Sequence, residues 1–256
     1  MSISLSKESI RRAFERARNT YAEAAQVQDR AALRCAEHVP PGNYPAILEI
    51  GAGGGVLTRH IVARCSHSRY VAVDISSGML AQVSRDGLTN PEFVVADGEY
   101  LILPHERFDL LVSSSTMQWY RSPEVSIRDN LGLLRHGGRF SLSIFIDGTY
   151  AEFAEASAMS GFGSMLSMRS ARYFMDILQD AKLASLETEI VTHVAYYPTV
   201  AEMLRAHRAT GATATPGGKQ PSRQAYQRFI DHYESSHRAP EGVRSTAVIL
   251  HLWGCR

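Results

Sequence analysis

Apolar positions in this 256-residue chain follow a helical period at the start, then shorter and denser runs. From Ser6 to about Val39 they recur at three- and four-residue steps, through Ile10, Phe14, Ala17 and Tyr21, with Arg11, Arg12, Glu15 and Arg16 between them. That spacing predicts amphipathic helix, with Ser6 as N-cap and Glu8 in the first turn. "VPPGNYP" ends it, since consecutive prolines cannot continue a helix. Five compact runs follow: "AILEI" (46–50), "YVAVD" (70–74), "EFVVA" (92–96), "FDLLVS" (108–113) and "GRFSLSIFI" (138–146). Their β-branched and aromatic content predicts strands. Helices are expected between them around Val56–Cys65, Gly78–Arg85 and Val125–Leu134. Such alternation, with several runs apolar throughout, predicts an α/β fold whose parallel sheet is covered on both faces.

After Asp147 the pattern loosens. Residues 149–185 are rich in Ala, Met and Ser and mostly helical, which reads as an insertion rather than a sixth regular unit. A strand at 187–198, a helix at 199–212 ending at Gly211, a mobile loop "TPGGKQPS", a helix near 223–235 and a strand at 245–254 complete the chain. The expected organisation is one domain with a mostly parallel seven-stranded sheet. It comprises an N-terminal helical cap (1–40), a core (45–147), a helical lid insertion (148–186) and C-terminal strands and helices (187–256).

Composition narrows the class. Hydrophobic residues at 45% and charged residues at 21% suit a globular core, and a net charge of +1 argues against a coat for nucleic acid or an anionic membrane. Cys35, Cys65 and Cys255 form no CxxC pair, so a reducing cytoplasm is expected. No apolar run approaches the roughly 20 residues of a membrane span, and the N-terminus lacks a signal-peptide core. The histidines, His193, His207, His232, His237 and His251 among them, show no HExxH or tight ligand spacing, so no metal is expected.

The candidate chemistry begins at "LEIGAGGGVLTRHI". In an open parallel sheet, ligands bind beyond the carboxyl ends of the strands, where Gly51, Gly53 and Gly55 lie. A dinucleotide site would want GxGxxG; here the spacing is GxGxG, and Glu49 is awkward beside a pyrophosphate. S-adenosylmethionine, with an ammonium and no phosphate, suits that acid better. Asp74, ending the second strand, is placed to accept both ribose hydroxyls, and Asp97-Gly98 after the third can meet the adenine amino group. Taken singly, each is also an ordinary turn or cap residue.

With these residues the chain resembles the class I S-adenosylmethionine-dependent methyltransferases, which have a Rossmann-like fold. Within them it is similar to the malonyl-[acyl-carrier protein] O-methyltransferase family. The likeness runs nearly end to end, through "SKESIRRAFERARNTYAEAAQVQ", "AVDISSGMLAQ", "SSSTMQWYRSPEV", "FIDGTYAEF" and "MLRAHRATGAT". It implies a cofactor site of Glu49, Gly51, Ala52, Gly53, Asp74, Ile75, Met79, Asp97, Gly98 and Ser113. Tyr21 would reach in from the N-terminal helices, though it equally fits a core aromatic.

The reaction implied is methylation of the free carboxylate of a malonyl thioester on acyl-carrier protein or coenzyme A, opening pimeloyl assembly for biotin and releasing S-adenosylhomocysteine. An ionised carboxylate needs no general base. Gln118 and Trp119 are expected to face the methyl group, although Trp119 also fits a packing role. One of Arg121, Arg169, Arg172, Arg205 and Arg208 would anchor the carboxylate. The acidic carrier could dock on Arg205, Arg208, Lys219, Arg223 and Arg228, or on Arg11, Arg12, Arg16 and Arg18. A monomer with no nucleic-acid or membrane partner is expected. Two alternatives stay open: another acceptor, such as a small free acid or a quinone precursor methylated on carbon or nitrogen, and a non-catalytic cofactor-binding subunit.

Overall fold

The computed structural model describes residues 6–85, 90–212 and 222–256. The N-terminal helical run divides into α1 (Lys7–Ala17), α2 (Tyr21–Ala24) and α3 (Gln26–Glu37). Ser6 caps α1, its hydroxyl accepting from the Ser9 N–H. The break falls where Thr20 Oγ1 donates to the Ala17 carbonyl at 3.1 Å and to the Ala209 carbonyl at 2.9 Å. A short polar side chain thus replaces the helical ladder with a turn.

The principal strands are β1 (Ala46–Ile50), β2 (Arg69–Asp74), β3 (Glu92–Val95), β4 (Phe108–Ser114), β5 (Leu134–Phe145), β6 (Ser185–Tyr197) and β7 (Gly242–Cys255). They pair in the order β3-β2-β1-β4-β5-β7-β6, and the two-residue strand Arg238–Ala239 adds an eighth member against β7. β1 to β5 are parallel, while β7 runs antiparallel to β5 and to β6. The remaining helices are α4 (Val56–Val62), α5 (Ser77–Arg85), α6 (Pro123–Gly132), α7 (Ala151–Ser160), α8 (Ala171–Gln179), α9 (Val200–Ala209) and α10 (Arg223–His237).

Alternation along β1 sends its side chains to two cores. Leu48 and Ile50 pack with Ile127 and Leu131 of α6 and Phe174 and Ile177 of α8. Ile47 packs on the other face with Cys35 of α3 and Leu57 and Ile61 of α4. Double coverage weakens at the edge, where Val95 of β3 is 58% exposed because no strand lies beyond it.

Residues 148–186 differ from the continuous insertion the sequence suggests. α8 presents Phe174, Ile177 and Leu178 at helical spacing to the sheet and packs against α6, making it the regular crossover into β6. α7 instead joins α9 and α10 in a separate cluster built on Phe153, Met203, Leu204, Phe229 and Tyr233. The non-helical stretch between α7 and α8 hides this division in the sequence, because its apolar residues have no regular period. "TPGGKQPS" lies, apart from Ser222, outside the described residues.

Candidate active site

The order of the sheet reverses between β1 and β4, and a crevice opens beyond their carboxyl ends. The turn after β1 is drawn over β2: the N–H groups of Gly51 and Ala52 both donate to the Val73 carbonyl, at 2.8 and 3.0 Å. Gly51 has φ +77°, and a Cβ there would collide with the Thr116 side chain. Gly98 admits no side chain either, since a Cβ would run into Ile50 Cγ2. Asp74 braces the turn, its carboxylate accepting from Gly53 N–H and Ser76 N–H, each at 2.8 Å. Burial pushes its pKa up to about 6, against the lowering effect of those donors.

These residues wall a cavity of about 640 Å³, including its open part, with Ile75, Met79, Asp97, Ser114, Ser115, Thr116 and Tyr120. Its roof is α1. Lys7, Ile10 and Phe14 face inward, and Tyr21 closes one side. Lys7 Nζ lies 3.2 Å from Asp97 Oδ1 and 2.5 Å from Glu99 Oε2, and 5.1 Å from the centre of the Tyr120 ring. Burial alone would raise the Glu99 pKa, but Lys7 and the N–H groups of Arg121 and Ser122 hold it below the ordinary value. Farther along α1, Glu15 Oε2 accepts from Ser76 Oγ at 2.5 Å and from Gly78 N–H at 3.2 Å.

A second cavity shares Phe14, Tyr21, Ser115 and Trp119 with the first and adds Gln28, Gln118, Tyr150 and Met165. Trp119 stands edge-on to Phe14 with ring centres 5.9 Å apart. Its Nε1 and the Gln118 Oε1 are buried with no hydrogen-bond partner among the described residues. Among the described residues, no Lys or Arg lines this cavity. A third cavity shares Tyr150, Met165 and Ala212 with the second and continues past Phe153, Phe162, Leu204 and His207 to Arg208. Arg208 also borders a surface groove with Arg16 and Thr20.

Of the residues singled out from sequence, Tyr21, Gly51, Gly53, Asp74, Ile75, Met79, Asp97 and Gly98 line the first cavity, and Gln118 and Trp119 the second. Ala52 sits behind the turn, 4% exposed. Glu49 and Ser113 do not reach the cavity wall. Side chains alternate along a strand, so Glu49 points into the α3–α4 face, fully enclosed, where it accepts from Thr58 Oγ1 and Tyr70 OH, each at 2.7 Å. Burial raises its pKa to about 7. Ser113 is likewise buried, its hydroxyl donating to the Ile50 carbonyl at 2.8 Å.

Among the described residues, none of the five arginines expected from sequence lines the second cavity. Arg169 clasps the carbonyls of Tyr120 and Arg121, and Arg172 pairs with Asp176 on the surface. Arg121 and Arg205 are exposed away from the cavity lining, and Arg208 stands only at the outer end. Sequence reasoning missed Lys7, Gln28 and Tyr150. Lys7 had a signal: it lies three and seven residues before Ile10 and Phe14, on one helical face.

The sheet order and the glycine-and-aspartate crevice define the class I S-adenosylmethionine-dependent methyltransferases. The crevice fits that donor, with Asp74 for a diol, close backbone at Gly51 and Gly98, and an apolar wall at Ile75 and Met79. A family model described as "Methyltransferase domain" matches residues 48–142. The YcgJ protein of Bacillus subtilis shares the fold, with a TM-score of 0.62 at 16% identity over 88% of this chain and 97% of that one. A malonyl-[acyl-carrier protein] O-methyltransferase of Dechloromonas aromatica is 31% identical, covering 97% of this chain and 94% of its own length. The biotin biosynthesis bifunctional protein of Bordetella avium is 29% identical over 87% of this chain and 48% of its own. The chain belongs to the malonyl-[acyl-carrier protein] O-methyltransferase family.

Proposed function

We propose that this enzyme methylates the free carboxylate of a malonyl thioester carried on acyl-carrier protein, the step that opens pimeloyl assembly for biotin. The observation that carries the reading is the second cavity, which adjoins the cofactor crevice across Phe14, Tyr21, Ser115 and Trp119 and has no charged side chain in its described lining. It holds an indole N–H and a carboxamide oxygen that have no hydrogen-bond partner among the described residues.

When bound, S-adenosylmethionine supplies an electrophilic methyl group on a sulfonium, which an ionised carboxylate oxygen can take by in-line displacement without a base. Asp74, with the Gly51–Gly53 backbone, holds the donor; Lys7, Phe14 and Tyr21 cover it and exclude water. Trp119 Nε1–H donates to the acyl group, and the Gln118 carboxamide fixes its orientation. A guanidinium fork would occupy both carboxylate oxygens. A single neutral donor leaves one free to react, and the mainly apolar wall of Phe14, Phe145, Met165 and Met168 keeps it poorly solvated. Alignment of this kind is worth on the order of 7–11 kcal/mol in favourable cases.

The third cavity is the path for a thioester arm, and Arg208 with Arg16 is the landing point for an acidic carrier. The test is transfer of labelled methyl to malonyl-carrier protein, malonyl-coenzyme A and free malonate, using wild type and Trp119→Phe. Ester formation fastest on the carrier-bound acceptor, with kcat lowered in the variant, supports the reading. Tight cofactor binding with no transfer to any malonyl species rejects it.

A further inference from the structure

We infer that Glu155, His232 and His237 form a divalent-metal site of zinc type that clasps α7 to α10. The sequence gives no hint of it, since the two histidines are five apart on α10 and the glutamate lies 77 residues before His232. The fold brings them together: their ligand atoms all lie within 4.8 Å of one another. His232 Nε2 is 3.2 Å from Glu155 Oε1, and His237 Nε2 is 3.6 Å from Oε2.

The second distance is long for a hydrogen bond. The two distances run to different oxygens of Glu155, and each is close to the edge of about 3.3–3.4 Å that separates ligand atoms around a tetrahedral ion with bonds near 2.0–2.1 Å, so a small turn of the carboxylate would present one oxygen to both rings. The His237 side chain is only 9% exposed, and its Nε2 is buried without a hydrogen-bond partner among the described residues while aimed at Glu155. Its ring is held by Tyr233, with centres 5.2 Å apart. Glu155 is 55% exposed, which leaves an entry path and room for a solvent ligand. Two imidazoles and one carboxylate with an open fourth position suit Zn²⁺, or Co²⁺ in its place, and not Mg²⁺ or Ca²⁺.

The site stands apart from the reacting groups, and it joins the helices whose Phe153 and Phe229 rings meet at 5.0 Å beside the third cavity. A bound ion would fix that wall. The inference does not depend on the identity of the methyl acceptor.

The experiment titrates tag-free, metal-stripped full-length protein with Co²⁺ and follows the visible d–d spectrum and the melting temperature, then competes with Zn²⁺. One equivalent should give an intense low-symmetry band, raise the melting temperature and be displaced by Zn²⁺. Glu155→Gln and His232→Gln, both at accessible positions, should each weaken binding by about tenfold or more. Unchanged S-adenosylmethionine affinity would show that these variants remain folded. Absence of a stoichiometric cobalt spectrum in wild type, or equal binding by the folded variants, overturns the inference.

Discussion

Half-buried Asp74 and fully enclosed Glu49 both have raised pKa values, yet they answer to opposite demands. Asp74 faces the cavity, and ribose hydroxyls would donate to its ionised form. As pH falls through about 6, cofactor binding must first expel a proton, so affinity should drop, approaching about tenfold per pH unit below that point. Asp74→Asn should weaken cofactor binding by about 10- to 100-fold at neutral pH, the value of a charged hydrogen-bond acceptor, and flatten the pH profile. Calorimetric titration from pH 5 to 8 checks both expectations.

Glu49 lines none of the three cavities described above, and its effect should be on stability. Its folded pKa of about 7 exceeds the ordinary 4.5, so the unfolded chain ionises first. The resulting penalty is absent below about 4.5, grows as pH rises towards 7 and is complete above it. Glu49→Gln keeps an acceptor for Thr58 and Tyr70. It should raise the melting temperature at pH 8 and leave it nearly unchanged at pH 4.5, with a smaller loss of cofactor affinity than Asp74→Asn. An equal shift at both pH values would sink this account.

Among the elements, α1 does the most for the site after the sheet itself. It is latched at its N-terminal end by Lys7 on Asp97 and Glu99, and farther along by Glu15 on Ser76 and Gly78. Removing the first latch with Lys7→Met leaves the helix's apolar face intact. S-adenosylhomocysteine should then leave about tenfold faster in stopped flow, while the binding rate changes little; an unaltered dissociation rate would show that α1 is not a lid. The same helix shows how pattern reading works. The inward face of α1 is legible because Ile10 and Phe14 keep the period, whereas nothing local distinguishes Lys7 from a solvated lysine in a first turn.

Over the whole molecule, the net charge of +1 conceals a local asymmetry. Arg11 and Arg12 share Glu8, so the front basic stretch is partly neutralised, whereas Arg16 and Arg208 meet at the groove where the third cavity ends. Lys219 lies outside the described residues. Reversing both charges, Arg16→Glu with Arg208→Glu, should raise KM for carrier-bound acceptor about tenfold and reduce its salt dependence, with kcat and the KM of malonyl-coenzyme A less affected. Parallel loss on both acceptors would place these arginines in arm binding rather than protein docking. Among the described residues, no helix is long and apolar enough to cross a membrane.

By itself the sequence determined the strand-and-helix alternation, the glycine turn and the acids at successive strand ends, because period, turn chemistry and strand-end position are local properties. It could not tell which face Glu49 or Ser113 would take, since a strand offers two and only the packing of helices on each face chooses. Nor could it separate α7 from α8, whose partners are distant in the chain. The arrangement of the second cavity, whose described lining holds no Lys or Arg, the pairing of Lys7 with Asp97 and Glu99, and the meeting of Glu155 with two histidines were decided by tertiary structure. Each depends on side chains brought together across long sequence separations, which no local pattern encodes.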